Sequence, residues 1–146
     1  MNVLVINGPN LNLLGRRDPA IYGSETLDEI MTDLGKFLTE KGCEAEFFQS
    51  NHEGAIIDRI HAAIGTADGI IVNAGAYTHY SYAIRDAIEA VGIPTVEVHL
   101  SDIHSREPFR AVSVIEPVCI AQVSALGRQS YFVGAEILLA KLQNND

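Results

Sequence analysis

Short apolar runs alternate with amphipathic stretches along this chain, and that alternation restricts the fold more than any other feature. Val3 to Ile6 is a continuous apolar, partly β-branched run, the pattern of a strand buried on both faces of a parallel sheet. Thr26 then caps a helix, with Glu29 three residues on as a capping box. Leu27, Ile30, Met31, Leu34, Phe37 and Leu38 fall on one face of that helix, and Gly42 stops it. The same reading predicts strands over residues 43–49, 68–73, 95–100 and 118–123. Further helices are expected after Asn51 (as cap) to Gly65, bearing Ile56, Ile57, Ile60 and Ile64, then over about 80–91 and 127–142. Five strands alternating with helices imply a parallel sheet with right-handed crossovers and helices on both faces. The 146 residues, 47% of them hydrophobic, suit one such domain over 1–146.

Two connections exceed the usual strand–helix loop of about 2–6 residues: Asn7 to Gly23 and Ser101 to Pro117. The first, NGPNLNLLGRRDPAIYG, holds three Asn, three Gly, two adjacent Arg and a Tyr. It reads either as a surface insertion or as a binding loop whose residues 15–24 form a hinged lid. Ligands of parallel α/β sheets bind beyond the carboxyl ends of the strands. That rule brings together Asn10, Arg17 and Tyr22 from the first loop, Asn73 and His79 after strand three, and His99, Ser101, Arg106 and Arg110 after strand four.

Composition removes several functions. A net charge of −9 argues against nucleic acid, whose footprint is a basic patch. No apolar run is long enough to cross a bilayer, and the N-terminus lacks a basic leader, so a cytoplasmic location is expected. The five His show no metal spacing and there is no CxxC; no metal is expected. Cys43 and Cys119 are expected to be buried and reduced. The three lysines, Lys36, Lys41 and Lys141, fall late in helices, so no Schiff-base lysine is available. No phosphate-cradling glycine loop follows strand one, and no cofactor is expected.

What remains is equipment for moving protons. Tyr22 is a base only if its phenolate is favoured by a neighbouring guanidinium, and spacing alone does not choose between Arg16 and Arg17; its other reading is an apolar anchor for the loop. His99 shares one side of its strand with Glu97, which could orient or charge the imidazole for general-acid work; its other reading is a core histidine satisfied by backbone. Arg110 and Arg106 suit a carboxylate by bidentate geometry. Asn73, Ser101 and Asp86 offer hydrogen bonds, though Asp86 on a helix could equally pair with Arg85. Asn10 could hold a water or an oxyanion. The set fits proton abstraction next to a carbonyl, with loss of a hydroxyl from a small polyhydroxy acid.

INGPNLNLLGRRDPAIYG, FQSNHEGAIIDRIH, VNAGAYTHYSYAIRDA, IPTVEVHLSDIHSREPFR and GRQSYFVGAEIL together resemble the type II 3-dehydroquinate dehydratase (type II dehydroquinase) family over essentially the whole chain. The resemblance implies a flavodoxin-like three-layer fold with sheet order 2-1-3-4-5. It implies reversible dehydration of 3-dehydroquinate to 3-dehydroshikimate, in aromatic biosynthesis or quinate breakdown, by anti elimination through an enolate without metal or cofactor. On this chain it makes Tyr22 the proton acceptor, Arg17 the transition-state stabiliser and His99 the proton donor. Asn10 would stabilise the enolate through a held water. Asn73, His79, Asp86, Leu100 (backbone), Ser101 and Arg110 would bind substrate, with the Leu100–Ser101 amides near the carboxylate and Arg110 and His79 near the ring hydroxyls. It further implies a dodecamer built from trimers. The chain departs from the usual pattern at Asp102, where Asn is expected; the added charge next to Ser101 would weaken carboxylate binding unless Arg106 pairs with it. The competing readings are a flavodoxin-like binding module for flavin or phosphoryl signals and an inactive scaffold.

Overall fold

The structure is a computed structural model that describes residues 1–16 and 18–144, the Tyr22 side chain excepted. The chain runs β1 (Asn2–Asn7), α1 (Pro19–Tyr22), α2 (Leu27–Glu40), β2 (Glu44–Gln49), α3 (Glu53–Ala62), β3 (Gly69–Asn73), α4 (Tyr82–Val91), β4 (Thr95–Val98), β5 (Ala121–Val123) and α5 (Gln129–Gln143). The sheet order is β2-β1-β3-β4-β5, with every neighbouring pair parallel. This is the flavodoxin-like arrangement anticipated from the alternation and the resemblance.

Side-chain alternation along the central strands divides the core in two. Val3, Val5, Ile71, Val96 and Val98 pack with Leu34, Leu38, Tyr131 and Leu138 of α2 and α5. Leu4, Ile6, Ile70 and Val72 pack with Ile56, Ile60, Ile84 and Ile88 of α3 and α4. Each fully buried Leu or Ile contributes roughly 1.5–3 kcal/mol. β2 is an edge strand with β1 on one side only.

The helix ends follow local chemistry. Thr26 Oγ1 accepts from Glu29 N at 3.2 Å, as the capping motif requires. Ser81 Oγ accepts from Ile84 N at 3.1 Å, so α4 begins two residues later than its apolar spacing suggests. Asn51 does not cap α3: His52 occupies that position, and the Asn51 Oδ1 accepts from Asn10 N at 3.0 Å. β5 is also shorter than its apolar run, because Pro117 opens a 3-10 turn over Glu116–Val118. β4 stops at Val98, where the chain bends and the carbonyls of Leu100 and Ser101 accept from the amides of Gly127 and Ala125.

The loops leaving β1 and β3 are pressed together at the carboxyl edge. Gly8 N donates to Asn73 O at 2.8 Å, and a Cβ on Gly8 would lie 2.5 Å from the Ala74 carbonyl oxygen. Backbone meets backbone there, so nothing yields cheaply. Gly8→Ala is therefore expected to cost about 1–3 kcal/mol, as overpacking does, and to lower Tm in a thermal melt. A melt superimposable on that of the parent would show that the two loops are not locked together.

Candidate active site

The carboxyl ends of β1, β3 and β4 surround a cavity of about 110 Å³. Asn10 comes from the first loop, Asn73 from the end of β3, and His79 from the 3-10 segment Gly75–His79. His99, Leu100 and Ser101 follow β4, and Arg110 lies on the 3-10 turn Pro108–Ala111. These seven predicted positions meet in one place. Asp86 does not line the cavity; it is exposed on α4. Arg17 and the Tyr22 side chain lie outside the described residues, although the Tyr22 backbone ends α1.

Behind the cavity sits a fully buried carboxylate. Glu97 has no exposed surface, and its Oε2 lies 2.5 Å from His99 Nε2. It also accepts from Thr78 Oγ1 at 2.6 Å, from Ser113 Oγ at 2.8 and 2.9 Å and from Gln122 Nε2 at 3.1 Å. A buried charge is tolerated only when its lone pairs are satisfied in this way. Burial pushes the Glu97 carboxyl upward, but the His99 hydrogen bond and charge, with the Thr78 and Ser113 hydroxyls, outweigh it and hold the group below the usual carboxylate range. With Nε2 committed to Glu97, His99 is left with Nδ1 for a ligand.

His79 is arranged differently. Its Nδ1 lies 2.7 Å from the Val112 carbonyl oxygen, which can only accept, so Nδ1 carries the proton. Burial pushes the imidazole below its ordinary value; the Val112 bond opposes this, while the His99 and Arg110 charges add to the lowering. A neutral ring protonated on Nδ1 presents Nε2 as an acceptor for a hydroxyl.

Arg110 gives its Nε to Glu107 at 2.5 Å and packs 4.7 Å over the Phe109 ring, which leaves the N–H groups of its outer nitrogens for a ligand. Arg106 Nη1 donates to Ser101 Oγ at 3.3 Å and joins the wall. Asp102 caps the 3-10 turn Ile103–Ser105, its Oδ1 accepting from His104 N at 3.1 Å. Asn10 has a left-handed backbone, φ 68°, a conformation Asn tolerates better than most residues. Its loop is held by Gln49, whose Nε2 donates to Gly8 O and to Asn51 Oδ1, both at 3.2 Å.

Sequence reasoning missed Thr78, Ser113 and Gln122 as partners of Glu97, and nothing local marks them. It also missed Tyr131, whose hydroxyl bonds Asn73 and Asn7. A Tyr on the apolar face of α5 was a usable signal, since a buried phenol requires a partner. None of the three lysines lines the cavity. Among the described residues, no group of three or more His, Cys, Asp or Glu could hold a metal, and no helix is long and apolar enough to cross a membrane. Cys43 is buried and Cys119 half-buried, both as free thiols; burial and the charges of Glu97 and Glu116 push Cys119 up to about 12.

The family described as Dehydroquinase class II matches residues 1–139, and the chain belongs to that family. It is 59% identical over 132 residues to a 3-dehydroquinate dehydratase of Caldicellulosiruptor bescii, covering 90% of this chain and 91% of that protein. A 3-dehydroquinate dehydratase of Nostoc sp. is 53% identical over 143 residues, covering 98% and 97%. The crystal structure of type II dehydroquinase from Butyrivibrio crossotus superposes with a TM-score of 0.93 at 49% identity, covering 95% of this chain and 97% of that one.

The lowered Glu97 carboxyl fixes the sign of a pH effect. A group whose folded pKa is depressed contributes stability above its unfolded value, about 4.3, and loses it as pH falls through the folded value. Denaturant melts between pH 7 and pH 3 should show a decline in the parent protein that is shallower in Glu97→Gln. Asp33 and Glu107, also lowered by arginine hydrogen bonds, are present in both proteins and cancel. Parallel declines would mean that Glu97 carries no such linkage.

Proposed function

We propose that this chain catalyses the reversible dehydration of 3-dehydroquinate to 3-dehydroshikimate by anti elimination through an enolate. The observation that carries this reading is the meeting of His99, backed by buried Glu97, with Asn10, Asn73, His79 and Arg110 at the carboxyl edge of the sheet, in a chain of the class II dehydroquinase family. His99 protonates the departing hydroxyl through Nδ1, while Glu97 stabilises the imidazolium that donates. His79 accepts from a ring hydroxyl and Arg110 donates to one. The Leu100–Ser101 segment receives the carboxylate, with Arg106 beside it. Asn10 steadies the enolate through a water. Tyr22 removes the proton alpha to the ketone, and Arg17 favours its phenolate; both assignments rest on the family resemblance. Residues 15–24 act as a lid on one catalytic domain spanning 1–146. A non-catalytic binding or scaffold role is disfavoured by the family, whose relatives are named 3-dehydroquinate dehydratases.

In this reading the enzyme acts in the cytoplasm, as its lack of a long apolar run suggests, and assembles as a dodecamer of trimers, as the resemblance implies. Tyr80, Tyr82, Phe109 and Val112 are each more than half exposed, apolar surface that a neighbouring copy would cover. Asp86, outside the cavity of its own copy, contributes to binding only if a second copy supplies it.

Ultraviolet detection of enone formation from 3-dehydroquinate tests the reaction: absorbance should rise with purified protein, and a flat trace would end the proposal. His99→Ala and Tyr22→Phe should each lower kcat by about 10²–10⁴-fold, the span of general acid–base catalysis, with the fold retained by circular dichroism. Near-parent turnover in either variant would remove that residue from its role. Borohydride added with substrate should leave activity intact, whereas inactivation with a mass adduct on a lysine would demand an imine route.

A further inference from the structure

Under the cavity floor runs a chain of hydrogen bonds that the chemistry above does not use. Gly75 N donates to Asn73 Oδ1 at 3.2 Å, Asn73 Nδ2 to Tyr131 Oη at 3.0 Å, Tyr131 Oη to Asn7 Oδ1 at 2.6 Å, and Asn7 Nδ2 to Met31 Sδ at 3.4 Å. Asn7 and Asn73 are register partners at the ends of β1 and β3, and both side chains point to the α5 side of the sheet. Tyr131 has no exposed surface, and its hydroxyl fits between the two amides.

The direction of this chain is dictated at both ends. A backbone N–H can only donate, so Gly75 requires the Asn73 oxygen. That turns Nδ2 toward Tyr131, whose oxygen must accept. The single phenolic proton then has one acceptor left, Asn7 Oδ1. Burial pushes the Tyr131 phenol well above its ordinary value, against the lowering by Asn73, so the proton stays in place.

We propose that Tyr131 is a positioning residue for the active site: with Asn7 it fixes the amide of Asn73 so that an N–H, not a carbonyl oxygen, faces the bound substrate. Asn73 lines the cavity and has two Nδ2 hydrogens; one is spent on Tyr131, which leaves the other to donate to a ligand. The proposal rests on the reading above in taking Asn73 as a substrate contact. It makes an unusual demand on double substitution. In Asn7→Leu the phenolic proton loses its acceptor and can turn only to Asn73, which must present its oxygen and release Gly75. Removing the hydroxyl as well abolishes that conflict, because taking away both partners of a buried hydrogen bond costs far less than taking one.

Steady-state kinetics on 3-dehydroquinate should show KM raised about 3- to 10-fold in Asn7→Leu and in Asn73→Ala, as loss of one hydrogen bond implies. The kcat pH profile should not move in either. Tyr131→Phe should raise KM less, and the Asn7→Leu/Tyr131→Phe pair should return to the Tyr131→Phe level. Amide hydrogen exchange at Gly75 supplies a readout independent of turnover: protection is lost in Asn7→Leu and regained in the double variant. A double variant with KM and Gly75 exchange no better than Asn7→Leu overturns the proposal, as does an unchanged KM in Asn73→Ala. If Asn7→Leu does not fold, Tyr131→Phe decides alone, and an unaltered KM there overturns it. If the parent protein lacks turnover, the enzymatic reading fails, whereas the exchange data still judge whether Tyr131 orients Asn73.

Discussion

A carboxylate sealed from water is tolerable only if the surrounding chain supplies a partner for each of its lone pairs. Glu97 imposes that demand on this molecule. Thr78 answers from the segment after β3, Ser113 from the loop after β4, Gln122 from β5 and His99 from the end of the same strand. Four separate pieces of the chain are thereby drawn to one point. The His99 imidazole is held by the same contacts that settle the charge. Stability and chemistry are thus not separate properties of this edge of the sheet.

The rest of the site is positioned by close approach rather than by charge. Gly8 and Ala74 bring the loops after β1 and β3 into backbone contact, and Gln49 with Asn51 ties the first of those loops to the end of β2. Asn10 and Asn73 therefore reach the cavity from elements fixed relative to each other by main-chain hydrogen bonds. Arg106 and Arg110 add positive charge to the wall of a chain whose net charge is −9. Local charge, not the total, governs which small anion the site accepts.

Much of this was legible in the residues. The apolar runs at 3–6 and within 68–73 and the 3.6-residue period of Leu27 to Leu38 specified a parallel α/β sheet, because local pattern and tertiary packing agree there. The shared strand face of Glu97 and His99 was visible from the two-residue period alone. Boundaries failed where capping or proline chemistry overrode apolar spacing, at Ser81 before α4 and at Pro117 before β5. Asn51 was misread because a short polar side chain serves a helix cap or a distant loop amide equally well. The partners of Glu97, and Tyr131 behind Asn73, were hidden because those contacts span 16 to 58 residues of sequence. Asp86 could be placed on its helix but not against the cavity, since the sequence does not say which helical face meets which loop.

The ties on Ser113 have a consequence for how the site works mechanically. Its hydroxyl grips Glu97 and accepts from Glu116 N, and the neighbouring Val114 N donates to Thr78 O at 2.8 Å. Peeling this stretch outward would strand a charge in a dry interior. The stretch from Ser113 to Glu116 is therefore built in as masonry rather than hung as a door.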